Sequence, residues 1–227
     1  YLEAVAWLEQ HLSSHAAVLS AASPTTSSGE PRKSRTLQLP DADQHKRERV
    51  RRYLMDRRCL EASILDPLLA VAKIYADQRG NAVFLMVAGK PNRAIGAELR
   101  GTGSTVWRGL AGGTRKDAGY FWIGNVTSKQ VVLCESAIDA ISCFQLHGQS
   151  VGAPLPGECI CISTAGARPD APWLQPLLAR GYDIYCGFDT DEPGETASQQ
   201  MIIRHPSIQR LRPPRHDWNE ALTVRHQ

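Results

Sequence analysis

VVLCESAIDAISCFQLH (residues 131–147) and GYDIYCGFDTDEPGETA (residues 181–197) follow one pattern: a short apolar run, an acid at its end, then residues at helical spacing. Both runs are rich in Val, Ile, Tyr and Phe, so each reads as a buried strand feeding a helix. The first strand delivers Glu135 at its carboxyl end, and the second delivers Asp189 and Asp191. In open α/β sheets ligands bind outside the carboxyl ends of the strands, so these three acids are expected on one rim. Carboxylates with few imidazoles or thiolates nearby suit Mg²⁺ or Mn²⁺, which bridge protein acids to phosphate oxygens. Phosphoryl transfer is the chemistry implied.

Each acid has a plainer reading beside this one. Asp139 stands one helical turn beyond Glu135, on the same side, but Ser136-x-x-Asp139 also makes a capping box. Asp189 and Asp191 flank Thr190, so in an extended turn their side chains point the same way. Pro193 and Gly194 mark a helix start, for which Asp191 is a ready cap. Between the two strands, STAGA (residues 163–167) follows the apolar run ECICI. Gly166 lets backbone amides turn towards a phosphate, or lets the loop position the acids. Asp217 opens DWNE, a second box of the same kind, and Arg215 and His216 beside it read as solvated.

Taken in order, ESAID, ISTAGA, FDTDEPG and HDWNEAL resemble the motifs of the toprim domain, the catalytic module of bacterial primases, topoisomerases and some nucleases. The resemblance implies Glu135, Asp189 and Asp191 as catalytic residues, and Glu135, Asp139, Asp189, Asp191 and Asp217 as ligands of Mg²⁺ or Mn²⁺. Upstream, residues 51–102 resemble, more loosely, the first part of the DnaG-type primase core. There AVFLMVA and RAIGAEL read as strands joined by the turn GKPNR. Arg100 and Lys116 fall where that family carries basic residues facing nucleotide, and Gly166 is grouped with them as a ligand-binding position. YLEAVAWLEQHL at the start resembles the helix that closes a zinc-ribbon domain.

The fold expected is therefore α/β, a Rossmann-like toprim domain with a mostly parallel sheet, preceded by a smaller α+β primase-core subdomain. The expected boundaries are a helix over 1–20 trailing an upstream zinc-ribbon-like domain, a Ser/Thr/Pro-rich linker over 21–44, the α+β unit over 45–125 and the toprim domain over 129–227.

Composition sets looser bounds. The 227 residues, 42% hydrophobic with a formal net charge of +3, fit a globular protein and do not by themselves announce nucleic acid. The six cysteines form no C-x-x-C pair and read as reduced core residues. With no signal peptide or bilayer-spanning run, the expected location is cytoplasmic. HKRERVRRYLMDRR (residues 45–58) reads as a helix with one buried and one cationic face, open either to phosphates or to water. GTGSTVWRGLAGGTRKDAG (residues 101–119) is neither a Walker loop nor a dinucleotide fingerprint. A nucleic-acid contact and a plain connection both remain open for it.

The function implied by the resemblance is metal-dependent nucleotidyl transfer on single-stranded DNA from nucleoside triphosphates. The setting is replication or mobilisation of a plasmid, phage or conjugative element, with a helicase or relaxase as partner. Two alternatives keep the same fold: a toprim-type nuclease, and a DNA-binding module without turnover.

Overall fold

The computed structural model describes residues 36–88, 92–149 and 159–225. The helix expected over 1–20, most of the 21–44 linker and part of the GKPNR turn lie outside the described residues.

The basic segment begins the fold. A 3₁₀ turn (Gln44–Lys46) runs into α1 (Arg47–Arg52) and then into a single π turn (Tyr53–Arg57). Val50 and Leu54, four apart among arginines, are its fully buried anchors. Helix α2 (Ala62–Ala70) adds Leu65, Leu68 and Leu69 to the same core. Strands β1 (Ile74–Ala76), β2 (Ala82–Ala88), β3 (Arg93–Arg100) and β4 (Arg108–Leu110) then form an antiparallel sheet in sequence order. The expected β2–β3 hairpin is present, with Ala82 opposite Arg100 and Ala88 opposite Arg93.

The second sheet contains β5 (Phe121–Gly124), β6 (Gln130–Cys134), β7 (Ile160–Ser163), β8 (Asp183–Cys186) and β9 (Gln209–Arg210), in the order β5-β7-β6-β8-β9. All neighbours are parallel except β5 and β7. The linking helices are α3 (Ala137–Gln149), α4 (Leu174–Ala179), α5 (Glu192–Arg204) and α6 (Trp218–Arg225). Strand β6 lies between β7 and β8, so the chain leaves it to one side and later returns on the other. That reversal opens a crevice at the carboxyl ends of these strands. The architecture is thus α/β with a mostly parallel sheet beside a smaller antiparallel one.

Strand β5 lies within the 45–125 span drawn from the sequence, yet it pairs with β7, Phe121 opposite Ser163. Its residues Phe121, Trp122 and Ile123 are all buried, so they need a sheet covered on both faces. Alternation along a strand says which face is apolar and not which neighbour it pairs with.

Along β6, Val132 and Cys134 enter one apolar core while Val131 and Leu133 enter the other, as a period of two requires. The first core is shared: Val50, Leu54, Leu65, Ile74 and Phe84 from the antiparallel unit pack with Ile138, Ile141 and Trp218 from α3 and α6. Phe84 meets Phe121 edge to face, ring centres 5.7 Å apart. The two sheets are therefore held by one continuous core. The six cysteines are free thiols, five of them buried. Among the described residues no helix is long and apolar enough to cross a membrane.

Candidate active site

The acids meet at the crevice beside β6. Glu135 follows β6, and its Oε1 accepts a hydrogen bond from the Asp189 amide at 3.1 Å, across the gap to the β8 loop. Asp191 caps α5, with Oδ1 accepting from the Gly194 amide at 2.8 Å. Asp217 does the same for α6, accepting from the Glu220 amide at 2.6 Å. In each of these three carboxylates one oxygen is held by a backbone amide. The capping readings were correct, and they leave the second oxygen of each acid for other work.

Asp189 differs. Its Oδ1 is buried and has no hydrogen-bond partner among the described residues. Ligand atoms of Asp189, His216 and Asp217 all lie within 4.8 Å of one another. His216 also places Nε2 3.8 Å from Asp191 and Nδ1 3.6 Å from Asp217. Asp139 is buried behind this group. Its Oδ2 accepts from Ser136 Oγ at 2.5 Å and its Oδ1 from the Asn219 amide at 3.3 Å, so both of its oxygens are engaged within the chain.

Close approach of the β8 loop to Glu135 depends on a glycine. A Cβ on Gly194 would sit 2.4 Å from the Asp189 carbonyl and 2.8 Å from Glu135 Oε1. On the other side, Gly166 has a φ of +116° and follows Ala165 at +54°, a strained pair at the end of β7. The Gly166 amide donates to the Glu135 carbonyl at 2.7 Å. It is thereby committed to positioning the acidic loop and is not turned out towards a phosphate.

Crowding shows in the acidities. Asp189 is pushed up to about 8 by burial and by Asp139, Glu135, Asp217 and Asp191. Asp139 is pushed up to about 6 by burial and by Asp217. Glu135 is raised by burial, against the favourable Asp189 amide. Like charges at this density, with an unpartnered buried oxygen among them, fit a bound cation.

The opposite wall is cationic. A cleft of about 590 Å³ runs between the two sheets, with Glu135, Asp189 and Asp191 on one side and Arg58, Arg100 and Arg108 on the other. Arg100 and Arg108 are directly opposed on β3 and β4, an arrangement that costs stability in a sheet unless an anion separates them. Arg100 is depressed by burial and by Arg58. Among the described residues none of the three is ion-paired to a carboxylate, and Arg58 is held by the Tyr53 hydroxyl and the Asn219 side chain.

Residues 132–222 match the family model described as Toprim-like. This part of the chain is a toprim-like domain. Residues 52–124 match a family described as a protein of unknown function, DUF3991. No curated protein matches the sequence. Among solved structures, the primase fragment of the bacteriophage T7 primase-helicase protein is 17% identical, with a TM-score of 0.51 over 76% of this chain and 70% of that one. A chain from the complex of the T7 lagging-strand DNA polymerase with primase domains of two gp4 subunits, bound to an RNA/DNA hybrid and dTTP, is also 17% identical. Its TM-score is 0.50 over 75% of this chain and 84% of that one. These likenesses show that about three quarters of this chain shares the fold of the T7 primase fragment.

The toprim-like domain brings Glu135, Asp139, Asp189, Asp191 and Asp217 to one cleft, with Arg100 across from them. Lys116 reaches the Ala165 carbonyl at 3.0 Å and so braces the strained loop from the other unit. Sequence reasoning passed over His216, which it read as solvated, and Arg58 and Arg108, which lay in basic stretches without a motif. It also missed Glu98. From β3 its carboxylate accepts from Ser163 Oγ at 2.5 Å and from the Ala137 amide at 3.1 Å, tying the antiparallel sheet to the ends of β6 and β7. Burial pushes Glu98 up to about 7, partly offset by these two donors. The available signal was a lone acid among the small and apolar residues of a strand.

Proposed function

We propose that this chain carries out primase-like nucleotidyl transfer on single-stranded DNA, with Mg²⁺ or Mn²⁺ as cofactor. One observation carries the reading: among the described residues, an acidic cluster with an unpartnered buried oxygen faces three arginines that lack carboxylate partners, across a single cleft. Asp189 and Asp217, with His216 and Asp191 beside them, are the residues that would hold the cation. When bound, the cation neutralises phosphate charge and orients the phosphates.

The chain's own residues supply the remainder. Glu135, fixed by the Asp189 amide, has a free oxygen to take the proton of the attacking 3′-hydroxyl. The 3′-oxygen bonds to the α-phosphorus of the incoming nucleotide as the bond to pyrophosphate breaks. Arg100 and Arg108 neutralise the departing pyrophosphate, and Arg58 extends the cationic wall towards the template. Asp139 orients the start of α3 and Asn219, and so acts through the cluster's geometry. A role in replication or mobilisation of a mobile element, with a helicase or relaxase as partner, belongs to the same proposal. The primase-helicase origin of one structural neighbour supports the helicase.

The test uses labelled single-stranded template, nucleotides and Mg²⁺ or Mn²⁺, comparing the wild type with Glu135→Gln. Metal-dependent products longer than the nucleotides supplied, lost in the variant, are expected. Shortened template that also depends on Glu135 would instead identify a nuclease, and no product of either kind would leave a binding module.

A further inference from the structure

Asp189 carries the unpartnered buried oxygen of the acidic cluster, and its backbone is held from outside that cluster. Arg210 ends β9, the edge strand next to β8, and its side chain is only 10% exposed. The guanidinium spans the segment that leads from β8 into the acidic turn. Its Nη1 donates to the carbonyl of Cys186, the last residue of β8, at 2.9 Å, and to the Leu211 carbonyl at 3.2 Å. Its Nη2 donates to the Asp189 carbonyl at 3.2 Å. Between these points the Trp218 indole donates to the Gly187 carbonyl at 2.7 Å, while the Asp189 amide is taken by Glu135. One planar fork therefore fixes both ends of the stretch from Cys186 to Asp189.

The fork is itself clamped. Glu195, in the first turn of α5, accepts from Arg210 Nη2 at 2.7 Å, and Arg212 grips both of its oxygens at 3.0 and 2.9 Å. These two arginines hold the Glu195 carboxyl below its usual range. With Glu195 against it, Arg210 gives the acidic turn hydrogen-bond geometry rather than a counter-charge. Neither Arg210 nor Glu195 lines the cleft. Two features separate this arrangement from an ordinary stabilising ion pair. Arg210 Nε is buried with no partner among the described residues, which costs stability and shows a guanidinium placed for its terminal acceptors. The stretch it fixes also leads into repulsion: Asp139, Glu135, Asp217 and Asp191 all act on the Asp189 carboxylate. A tether at the Asp189 carbonyl opposes its displacement.

We infer that Arg210 is a positioning residue for the cation site: clamped by Glu195, it fixes the backbone from Cys186 to Asp189 and so holds the Asp189 carboxylate in the cluster. This rests on the cation reading of that cluster and adds to it a residue that touches neither cation nor substrate.

The experiment measures Mn²⁺ affinity of the full chain by calorimetry at one fixed pH, with each variant shown to be folded by circular dichroism. Arg210→Ala should weaken Mn²⁺ binding roughly 10- to 100-fold, the usual effect of removing a group that orients a metal ligand from behind. Arg210→Lys should fall between Arg210→Ala and wild type, because one ammonium cannot serve Cys186, Asp189 and Glu195 together. Arg51→Ala breaks a two-point pair with Asp66, lies outside the cleft lining and should leave Mn²⁺ affinity unchanged. Wild-type affinity in Arg210→Ala, with binding abolished in Asp189→Asn, overturns the positioning role and leaves the proposed function standing. An equal loss in Arg51→Ala also overturns it, because general loosening of the fold then accounts for the effect. Should Arg210→Ala not fold, Arg210→Lys decides: weakened binding by a folded chain supports the assignment, and wild-type affinity overturns it. A wild-type chain that binds no Mn²⁺ overturns the assignment and the cation reading together.

Discussion

Replacing Glu98 by Gln should make the stability difference from wild type depend on pH, because Glu98 is a titrating clamp between the two sheets. Its folded-state acidity, pushed up to about 7, stands against an ordinary value of 4.5. Between those values the folded chain keeps a proton that the unfolded chain has released, so stability falls as pH rises. The contribution is complete below the unfolded value and gone above the folded one. Integrated from about pH 5 to about pH 8, the shift corresponds to about 2.5 kcal/mol. Gln has the same shape and does not titrate. It can still accept from Ser163, but its amide nitrogen cannot accept from Ala137, so one of the two bonds is lost at every pH. Other ionisable groups are common to both proteins and cancel to first order. Urea unfolding of the pair at the two pH values should show the wild type's advantage shrinking by about 2.5 kcal/mol on going to the higher pH. A difference that stays constant with pH would mean that the Glu98 carboxylate is hydrated rather than enclosed, and the clamp argument would be refuted.

Asp189 should couple cation binding to pH. Since it is pushed up to about 8, Mn²⁺ affinity measured by calorimetry should climb up to about tenfold per pH unit below that value and flatten above it. Without a cation, the same upward shift makes the fold less stable as pH rises towards 8, so Asp189→Asn should raise the melting temperature of the metal-free chain at that pH while abolishing Mn²⁺ binding. A variant that binds Mn²⁺ as tightly as wild type would remove Asp189 from the site. Gly194→Ala forces a methyl group into the Asp189 carbonyl and Glu135, costing about 1–3 kcal/mol in denaturant unfolding as an overpacking change. Product formation in the template assay should fall by a larger factor than stability alone explains, and an unaltered rate would show that the loop tolerates displacement.

The shared core explains why a cleft between two units can hold fixed geometry. Phe84 and the α1–α2 anchors pack directly on α3 and α6, the helices whose starts carry Asp139 and Asp217. Glu98, Lys116 and Arg58 add polar ties at the ends of β6 and β7 and on α6. The arginine wall is therefore not free to drift away from the acids without disrupting buried apolar contacts.

The sequence alone determined that acids would end two buried strands, since VVLC and YDIYC are apolar runs and Glu135, Asp189 and Asp191 follow them directly. It also determined the α/β class and the β2–β3 hairpin, because period and turn chemistry are local properties. Only the tertiary structure decided which strands are neighbours, and so placed β5 with β7 rather than with the sheet that precedes it. It alone showed that Asp139 is enclosed by Ser136 and Asn219, that the Gly166 amide faces inward, and that Glu98 reaches across to Ser163 and Ala137. Contacts of that kind join residues far apart in the chain, 80 positions in the bond from the Asn219 amide to Asp139 and 161 in the bond from Arg58 to the Asn219 side chain. Periodicity records the face on which a side chain lies, while its partner is chosen by how the sheets pack, and that choice leaves no repeat in the chain to be read.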